Sequence, residues 1–307
     1  MIGRTEVEAA WQKIRPHVRR TPVIELPAGT LGVAAPVALK LEALQPGGSF
    51  KARGAFHKLL ASTVPPAGIV AASGGNHGVA AAYAARALGH KAEIFVPTTS
   101  SPTKVARLKS YGAVVHQVGA VYAEARGASE KRAAETGALI VPAYEDEVVF
   151  AGAGSAALEF AEQAKFDTLL VAVGGGGLIA GCAAAIGDRA KIVAVETEGT
   201  PTLYEARRAG KPVDVAISGI AADALGASRI GTPNFEVAQK WVREAVLVSD
   251  DAVRTAQRAL WDELRIVAEP SGAAGLAALM SGSYKPAAGE RVATLICGAN
   301  TDPGSVA

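Results

Sequence analysis

The first segment whose residues could do chemistry surrounds Lys51, in the run Gly47-Gly48-Ser49-Phe50-Lys51. A Pro-Gly-Gly turn leads into Ser49, a residue type that commonly caps a helix, so Lys51 is predicted in the first turn of the helix that follows. The positive end of a helix dipole disfavours a cation, which lowers the ammonium pKa and favours a neutral, nucleophilic amine. Taken alone, a lysine in such a position is most often an ordinary exposed side chain.

The second segment is Ser73-Gly74-Gly75-Asn76-His77, which follows the apolar run Gly68–Ala72 and opens an alanine-rich helix. Small residues with free backbone N–H groups at a helix N-terminus form a site suited to a carboxylate or a phosphate. Asn76 adds a neutral side-chain donor. The same residues could also be an ordinary turn between a strand and a helix, with His77 as a cap.

The third segment is the run Gly174, Gly175, Gly176 and Gly177, after the apolar residues Thr168–Val173 and before a helix that opens at Leu178. Because glycine has no Cβ, the backbone amides can approach a phosphate closely. The run lacks the Gly-Lys-Ser/Thr ending of a nucleoside-triphosphate loop and the spacing of the dinucleotide fingerprint. It therefore predicts a phosphate site of another kind.

Two cysteines are present, Cys182 and Cys297. They are too few for a disulfide framework, and their arrangement does not suit a zinc site. Cys182 lies in an apolar helical run and is predicted in the core. Cys297 ends a predicted strand, where its thiol could be a small buried apolar group or could face a ligand.

Short apolar runs alternate with longer segments of helical spacing, which predicts an α/β protein with parallel strands joined by helices. The predicted strands are Val37–Leu41, Gly68–Ala72, Ala92–Val96, Ala113–Gln117, Thr168–Val173, Lys191–Glu196, Ala245–Val248 and Val292–Cys297. The predicted helices are Ala52–Ala61, His77–Leu88, Thr103–Ser110, Ala153–Ala164, Leu178–Ile186, Asp251–Leu264 and Ala273–Ser281. Ligands of such folds bind beyond the carboxyl ends of the strands, where the glycine-rich segments fall.

Composition excludes several classes of protein. The 307 residues include 31 basic and 29 acidic side chains, a net charge of +2 that argues against a nucleic-acid partner. The length suggests two domains. The uncharged stretch Thr168–Gly187 is long enough to cross a bilayer, but its four consecutive glycines favour a buried strand, a turn and a helix, so no membrane span is expected. The first twenty residues mix both charges without an apolar core, which predicts a cytoplasmic protein.

These motifs occur in one order over nearly the whole chain, and their combination resembles the fold type II pyridoxal-phosphate enzymes, in the serine/threonine dehydratase family with its serine racemase relatives. The resemblance implies two open, twisted, mostly parallel sheets flanked by helices, as in tryptophan synthase β-like proteins, with the cofactor between two domains. Residues 1–40 and 146–307 would form the large cofactor-binding domain, and residues 41–145 the small domain.

The resemblance also implies a role for each motif. Lys51 would hold pyridoxal 5'-phosphate as a Schiff base, and Phe50 would flank the pyridine ring. Asn76 would bind the phenolic oxygen, and Cys297 would face the pyridine nitrogen. The phosphate cup would comprise Gly174, Gly175, Gly176, Gly177 and Leu178. The cradle for the substrate carboxylate would comprise Ser73, Gly74, Gly75, Asn76 and His77.

The activity that the resemblance implies is dehydration and deamination of a small 2-amino-3-hydroxy acid such as L-threonine or L-serine, by α,β-elimination, to a 2-oxo acid and ammonia. The alternatives are an amino-acid racemase or a β-replacement synthase of the same fold, and outside enzymes a small-molecule binding protein. Serine racemases usually carry a second serine where this chain has Gly74, so elimination is favoured. Tyr144 matches an aromatic position of threonine dehydratases. A homodimer is expected, as relatives often are dimeric.

Two departures from the family pattern limit the transfer. The usual Ala-Gly-Gln-Gly-Thr segment has Ala153 in place of glutamine, so the side-chain pocket is expected to differ. Some members bind a divalent cation through an acid pair, but Thr202 stands where the second carboxylate would be. No metal is therefore expected, and Glu196 and Asp223 are the weaker candidate ligands. The chain ends soon after Asn300, so feedback by isoleucine through a C-terminal effector domain is not expected.

Overall fold

The computed structural model describes residues 1–306, in which helices and strands alternate along the chain. The strands are β1 (Val23–Leu26), β2 (Val37–Lys40), β3 (Ile69–Ala72), β4 (Ala92–Val96), β5 (Val114–Gln117), β6 (Leu139–Ile140), β7 (Thr168–Ala172), β8 (Lys191–Thr197), β9 (Val242–Val248) and β10 (Val292–Leu295). The helices are α1 (Arg4–Ile14), α2 (Lys51–Leu60), α3 (Asn76–Ala87), α4 (Pro102–Ser110), α5 (Tyr122–Thr136), α6 (Glu147–Gln163), α7 (Gly177–Ile186), α8 (Thr202–Ala209), α9 (Ala222–Leu225), α10 (Thr232–Trp241), α11 (Asp250–Leu264) and α12 (Pro270–Ser281).

The strands form two sheets. The large sheet has the order β1-β2-β10-β7-β8-β9 and the small sheet the order β5-β4-β3-β6. Every neighbouring pair is parallel except β1 with β2, which is antiparallel. The predicted α/β fold with two mostly parallel sheets is confirmed. The strands of the small sheet all lie within residues 41–145, while the domain boundaries themselves stay a prediction.

The centre of the large sheet is apolar on both faces, as parallel sheets covered by helices require. All five residues of β7 are buried. Helices α6 and α7 pack backbone to backbone, since a Cβ on Gly181 would lie 2.2 Å from the carbonyl oxygen of Phe150 and one on Gly154 would lie 2.3 Å from that of Gly181. This close packing fixes the N-terminal end of α7, where the glycine run lies.

The uncharged stretch Thr168–Gly187 folds as strand β7, the glycine loop and helix α7. Among the described residues, none of the helices combines the length and apolar character needed to cross a membrane. The strand, turn and helix predicted for this stretch are therefore observed.

Four fully buried charged side chains lie between α2, α6 and β2: Lys40, Glu42, Arg53 and Glu159. We call them the buried charge cluster. The Arg53 Nε donates to Glu42 Oε2 at 2.7 Å, and Lys40 Nζ donates to Glu159 Oε1 at 2.5 Å. Two positive and two negative groups leave the cluster without net charge, so burial is tolerated because every charge has a partner. Through Arg53 and Glu159 the cluster joins helices α2 and α6.

Candidate active site

Lys51 is the first residue of α2, and Phe50 is its N-cap. The Lys51 Nζ donates a hydrogen bond to the carbonyl oxygen of Ala143 at 2.7 Å and lies 5.3 Å from the centroid of the Phe50 ring. Burial lowers the pKa of the ammonium to about 8, an effect that Cys297 and Glu269 partly offset. A fraction of the side chain is therefore a neutral amine near neutral pH, but the cause is burial and not the helix dipole invoked from the sequence.

Ser49 does not cap this helix, contrary to the expectation from sequence. Its backbone is extended and pairs with Gly298 in an isolated antiparallel bridge. The Phe50 N–H donates to the carbonyl oxygen of Cys297 at 3.0 Å, and the Ala299 N–H donates to that of Gly48 at 3.0 Å. Backbone pairing thus takes the place of side-chain capping and joins the Lys51 segment to the exit of β10.

Cys297 lies beside this bridge and is buried. Its Sγ is 3.6 Å from Ser271 Oγ, and burial together with Glu269 raises the pKa of the thiol to about 12. The group is therefore a neutral thiol at physiological pH. Cys182 is also buried, within α7, so its predicted place in the core is observed.

The segment predicted as a carboxylate cradle joins β3 to α3. The Gly75 N–H donates to Ser73 Oγ at 3.1 Å, while within the described residues the N–H groups of Gly74, Asn76 and His77 donate to no protein acceptor. His77 is buried with Nε2 2.9 Å from the carbonyl oxygen of Val141, and burial lowers the pKa of its imidazole to about 3. A neutral ring and free amides at a helix N-terminus suit a carboxylate.

The glycine run lies between β7 and α7. Gly176 has φ +89°, a left-handed conformation that favours glycine. No oxygen of the described residues accepts a hydrogen bond from the N–H groups of Gly174, Gly175 or Gly176. The next N–H groups, of Gly177 and Leu178, belong to the first turn of α7 and have no acceptor within the helix. This loop presents a row of amides to an anion.

Two side chains hold the loop from behind: Asn234, which the sequence did not single out, and Thr202, which it named only as the position of a missing metal ligand. The Asn234 Nδ2 donates to the carbonyl oxygen of Gly175 at 2.8 Å, and the Thr202 Oγ1 donates to that of Gly174 at 2.6 Å. Both bonds use carbonyl oxygens and leave the amides free. Nothing in the local sequence marks these two residues as partners of the glycine loop, because each comes from a helix distant along the chain.

The site meets the requirements of pyridoxal phosphate. A dianionic phosphate needs amide donors at a helix N-terminus, and the glycine loop has them unpaired. An aldehyde needs an amine that can be neutral, which burial provides at Lys51. The bridge between Ser49 and Gly298 brings the neutral thiol of Cys297 next to the same segment. One cavity is lined by Phe50, Lys51 and Gly177, so the Lys51 segment and the end of the glycine loop meet there. Asn76 is linked to the Cys297 thiol through hydrogen bonds of Glu269 and Ser271.

The two weaker metal candidates are already engaged. Glu196 is buried and accepts hydrogen bonds from the N–H groups of Leu203 and Tyr204 at 2.8 and 2.7 Å, and burial raises the pKa of its carboxyl to about 7. Asp223 Oδ1 accepts from Lys104 Nζ at 2.5 Å. Among the described residues, no three histidine, cysteine, aspartate or glutamate side chains cluster as metal ligands would.

Comparison with known proteins matches residues 14–298 to the family model described as pyridoxal-phosphate dependent enzyme. The chain is 36% identical over 305 residues to phenylserine dehydratase from Ralstonia pickettii, covering 96% of this chain and 92% of that protein. It is 33% identical over 308 residues to L-threonine ammonia-lyase from Geobacter sulfurreducens, covering 98% of this chain and 76% of that protein.

Among solved structures, maize serine racemase superposes with a TM-score of 0.93 at 30% identity, covering 99% of this chain and 95% of that one. The similarity extends over both sheets, so the whole fold is shared.

Proposed function

Because the chain belongs to the pyridoxal-phosphate-dependent enzyme family and uses that cofactor, we propose that it eliminates water from a 2-amino-3-hydroxy acid, and that hydrolysis of the product then releases ammonia. L-threonine and L-serine are the first candidate substrates, and the product is a 2-oxo acid. One observation carries the proposal: the buried amine of Lys51, with a pKa lowered to about 8, opens a helix joined by backbone hydrogen bonds to the Cys297 segment.

The residues that would hold the cofactor are those that the family resemblance implies, and their chemistry fits these roles. The amides of the glycine loop would bind the phosphate, and the Phe50 ring would cover one face of the pyridine ring. Asn76 would donate to the phenolic oxygen, and the Cys297 thiol would face the ring nitrogen. When bound, pyridoxal phosphate supplies an electron sink for negative charge at the substrate α-carbon.

The protein's own groups then bind and move protons. Ser73 and the free amides of the segment up to His77 would hold the substrate carboxylate. The neutral Lys51 amine would act as general base on the α-proton and become an ammonium. That ammonium would protonate the departing hydroxyl, which leaves as water. The remaining enamino acid hydrolyses to the 2-oxo acid and ammonia.

Two residues favour elimination over the alternative of racemisation. Gly74 has no side chain that could carry a proton to the face opposite Lys51. The Cys297 thiol is neutral, and unlike a carboxylate it would not hold the pyridine nitrogen protonated. The cofactor would then stabilise negative charge at the α-carbon less well. Loss of the β-hydroxyl would therefore compete with return of a proton to that carbon. We also propose a homodimer that acts on small amino acids and binds no nucleic acid, the latter supported by the net charge of +2.

A substrate panel tests the proposal. L-serine, L-threonine and L-threo-3-phenylserine would be assayed for 2-oxo acid and ammonia, with D-serine measured in parallel and sulfide added in a separate arm. Borohydride should fix the cofactor on Lys51 in the native protein and not in Lys51→Ala, which should also lose turnover. Product formed only with sulfide would identify a β-replacement synthase. A Lys51→Ala variant that retains turnover would refute the proposal.

A further inference from the structure

Glu269 is a buried carboxylate beside the candidate active site, and neither sequence nor family motif singled it out. It is 3% exposed and is the N-cap residue of α12. In the described part of the chain no lysine or arginine forms an ion pair with it. Burial raises the pKa of the Glu269 carboxyl, and the hydrogen bonds that the carboxyl accepts partly offset this rise. The carboxylate form therefore depends on those hydrogen bonds to compensate for lost hydration, and the positive end of the twelve-residue helix α12 adds to that compensation.

Three donors supply those hydrogen bonds. Asn76 Nδ2 donates to Glu269 Oε1 at 2.7 Å, and Ser271 Oγ donates to the same oxygen at 2.6 Å. The Asn300 N–H donates to Oε2 at 3.1 Å. Two of these residues are tied to the cofactor positions, since Asn76 is predicted to bind the phenolic oxygen and Ser271 contacts the Cys297 thiol.

The close approach of the Glu269 carboxylate to the segment after Cys297 depends on Gly298, which has no side chain. A Cβ on Gly298 would lie 2.2 Å from Glu269 Oε1. The glycine in Cys297-Gly298-Ala299-Asn300 therefore makes room for the carboxylate. The backbone reinforces the arrangement, because the Glu269 N–H donates to the carbonyl oxygen of Gly298 at 3.1 Å.

The network determines which way the Asn76 amide points. Asn300 Nδ2 donates to the carbonyl oxygen of Gly47 at 2.8 Å, which fixes the Asn300 amide, and it also donates to Asn76 Oδ1. A carboxylate accepts hydrogen bonds only. If the Asn76 amide were reversed, its oxygen would face the Glu269 carboxylate and its NH2 group would face another NH2 group. Only one orientation pairs donors with acceptors at both ends.

In that orientation the Asn76 NH2 group donates one of its hydrogens to Glu269, and the other hydrogen is available to a second acceptor. We infer that Glu269 is a positioning residue, which holds the Asn76 amide so that its remaining N–H, rather than its oxygen, faces the phenolic oxygen of the cofactor. This inference rests on the proposed function, since it takes Asn76 as the cofactor's partner. Glu269 would thereby influence the protonation state of the cofactor through the Asn76 side chain.

Glu269→Gln is the first test, with Glu159→Gln as the matched control because Glu159 is another fully buried glutamate, in the buried charge cluster. Glutamine places an NH2 group against either Asn76 or the Asn300 N–H. In Glu269→Gln we expect cofactor binding to weaken about tenfold or more, because a hydrogen bond to a charged oxygen is lost. The visible band of the bound cofactor should lose intensity to the near-ultraviolet band. Glu159→Gln should lower thermal stability without changing the cofactor affinity or the intensity of the visible band.

The double variant Asn76→Asp/Glu269→Gln separates orientation from folding. There the glutamine NH2 can donate to the aspartate, and Asn300 Nδ2 can still donate to residue 76, so the apoprotein should recover thermal stability. The phenolic oxygen of the cofactor would face the carboxylate of residue 76, so the visible band should remain weaker than in the native protein. A wild-type band in Glu269→Gln, or its return in the double variant, would overturn the inference. Native protein that takes up no cofactor would instead overturn the proposed function.

Discussion

The ring of Tyr144 packs on Gly175 so closely that a Cβ on residue 175 would lie 2.4 Å from the ring carbons. The contact joins the loop before α6 to the glycine loop, and the carbonyl oxygen of Tyr144 also accepts a hydrogen bond from Asn234 Nδ2 at 3.1 Å. The aromatic side chain thus packs directly against the glycine loop. Its position makes the absence of a side chain at Gly175 a requirement of packing.

Gly175→Ala is therefore expected to displace Tyr144 or the loop and to lower cofactor affinity about tenfold or more. Equilibrium titration of the apoprotein with pyridoxal phosphate measures the effect. The second change in Gly175→Ala/Tyr144→Ala removes the ring and should restore much of the affinity. As a control, Gly127→Ala in α5 has open space around its new Cβ and should bind the cofactor normally. Unchanged affinity in Gly175→Ala would show that the contact is dispensable.

The lowered pKa of Lys51 predicts how cofactor uptake depends on pH. Below about pH 8 the side chain is mainly an ammonium, and above it mainly a neutral amine that can attack the aldehyde. The rate at which the apoprotein develops its visible band should rise with pH with a midpoint near pH 8, well below the ordinary lysine value of 10.5, and should level off above that midpoint. Stopped-flow absorbance over pH 6 to 10 measures it. A midpoint near 10 would mean that burial does not control this amine.

His77 predicts a loss of stability in acid. Its imidazole has a pKa of about 3 in the folded protein against 6.5 for an ordinary histidine, because burial disfavours the charged form. The unfolded chain therefore takes up a proton that the folded protein does not, and stability falls as the pH drops below 6.5. From pH 7 to pH 5 this one group should lower the free energy of unfolding by about 2 kcal/mol.

Urea unfolding of the apoprotein at the two pH values measures this contribution, with His77→Gln as the comparison. Glutamine can still donate to the Val141 carbonyl and does not titrate. The difference in stability between pH 7 and pH 5 should be smaller in the variant by that amount. Equal differences in the two proteins would rule out a buried neutral imidazole as the cause.

Arg53→Met tests the buried charge cluster. The change leaves the carboxylates of Glu42 and Glu159 buried with fewer partners, and removal of one member of a buried ion pair costs about 3–5 kcal/mol of folding stability. Arg208→Met removes an exposed pair with Glu205 and should be nearly neutral. Chemical denaturation of both apoproteins provides the measurement. Similar stabilities of the two variants would show that the cluster does not depend on Arg53.

Gly74→Ser tests the choice between elimination and racemisation. A Cβ on residue 74 would have Ser100 Oγ as its nearest neighbour at 3.5 Å, an ordinary contact, so the serine fits without displacing the loop. The new hydroxyl can exchange a proton at the face opposite Lys51. D-serine formation from L-serine, measured by chiral chromatography, should rise relative to native protein and to Gly74→Ala. No increase would mean that the missing hydroxyl is not what limits racemisation.

The sequence predicts best the elements that are buried on both faces. Strand β3, residues 169–172 of β7 and residues 192–195 of β8 are continuous apolar runs because helices cover both sides of a parallel sheet. Strand β1 was not predicted, since it is a four-residue edge strand that contains the exposed Glu25. Helix α5 was missed because its composition is polar and only three of its fifteen residues are buried, so no apolar face marks it.

The residues of the candidate site likewise fall into those that could be predicted from the sequence and those that could not. Loops that follow strands could be found from the order of residues, which is why Lys51 and the glycine run were identified. Helix α6 starts six residues before the predicted Ala153, because Asp146 caps it by accepting from the Val149 N–H at 3.0 Å. Glu269 could not be found from sequence, since a glutamate before a proline reads as an ordinary helix start and its partners are distant along the chain.

Strand β10 lies between β2 and β7 in the large sheet, although it follows both in the chain. As the polypeptide leaves the ribosome, β2 and β7 therefore emerge with open edges that only residues 292–295 can fill. The small sheet is drawn from the continuous stretch of residues 69–140 and can form much earlier. Synthesis thus sets an order of assembly in which the large sheet, and with it the candidate cofactor site, is complete only after residues 292–295 have been made.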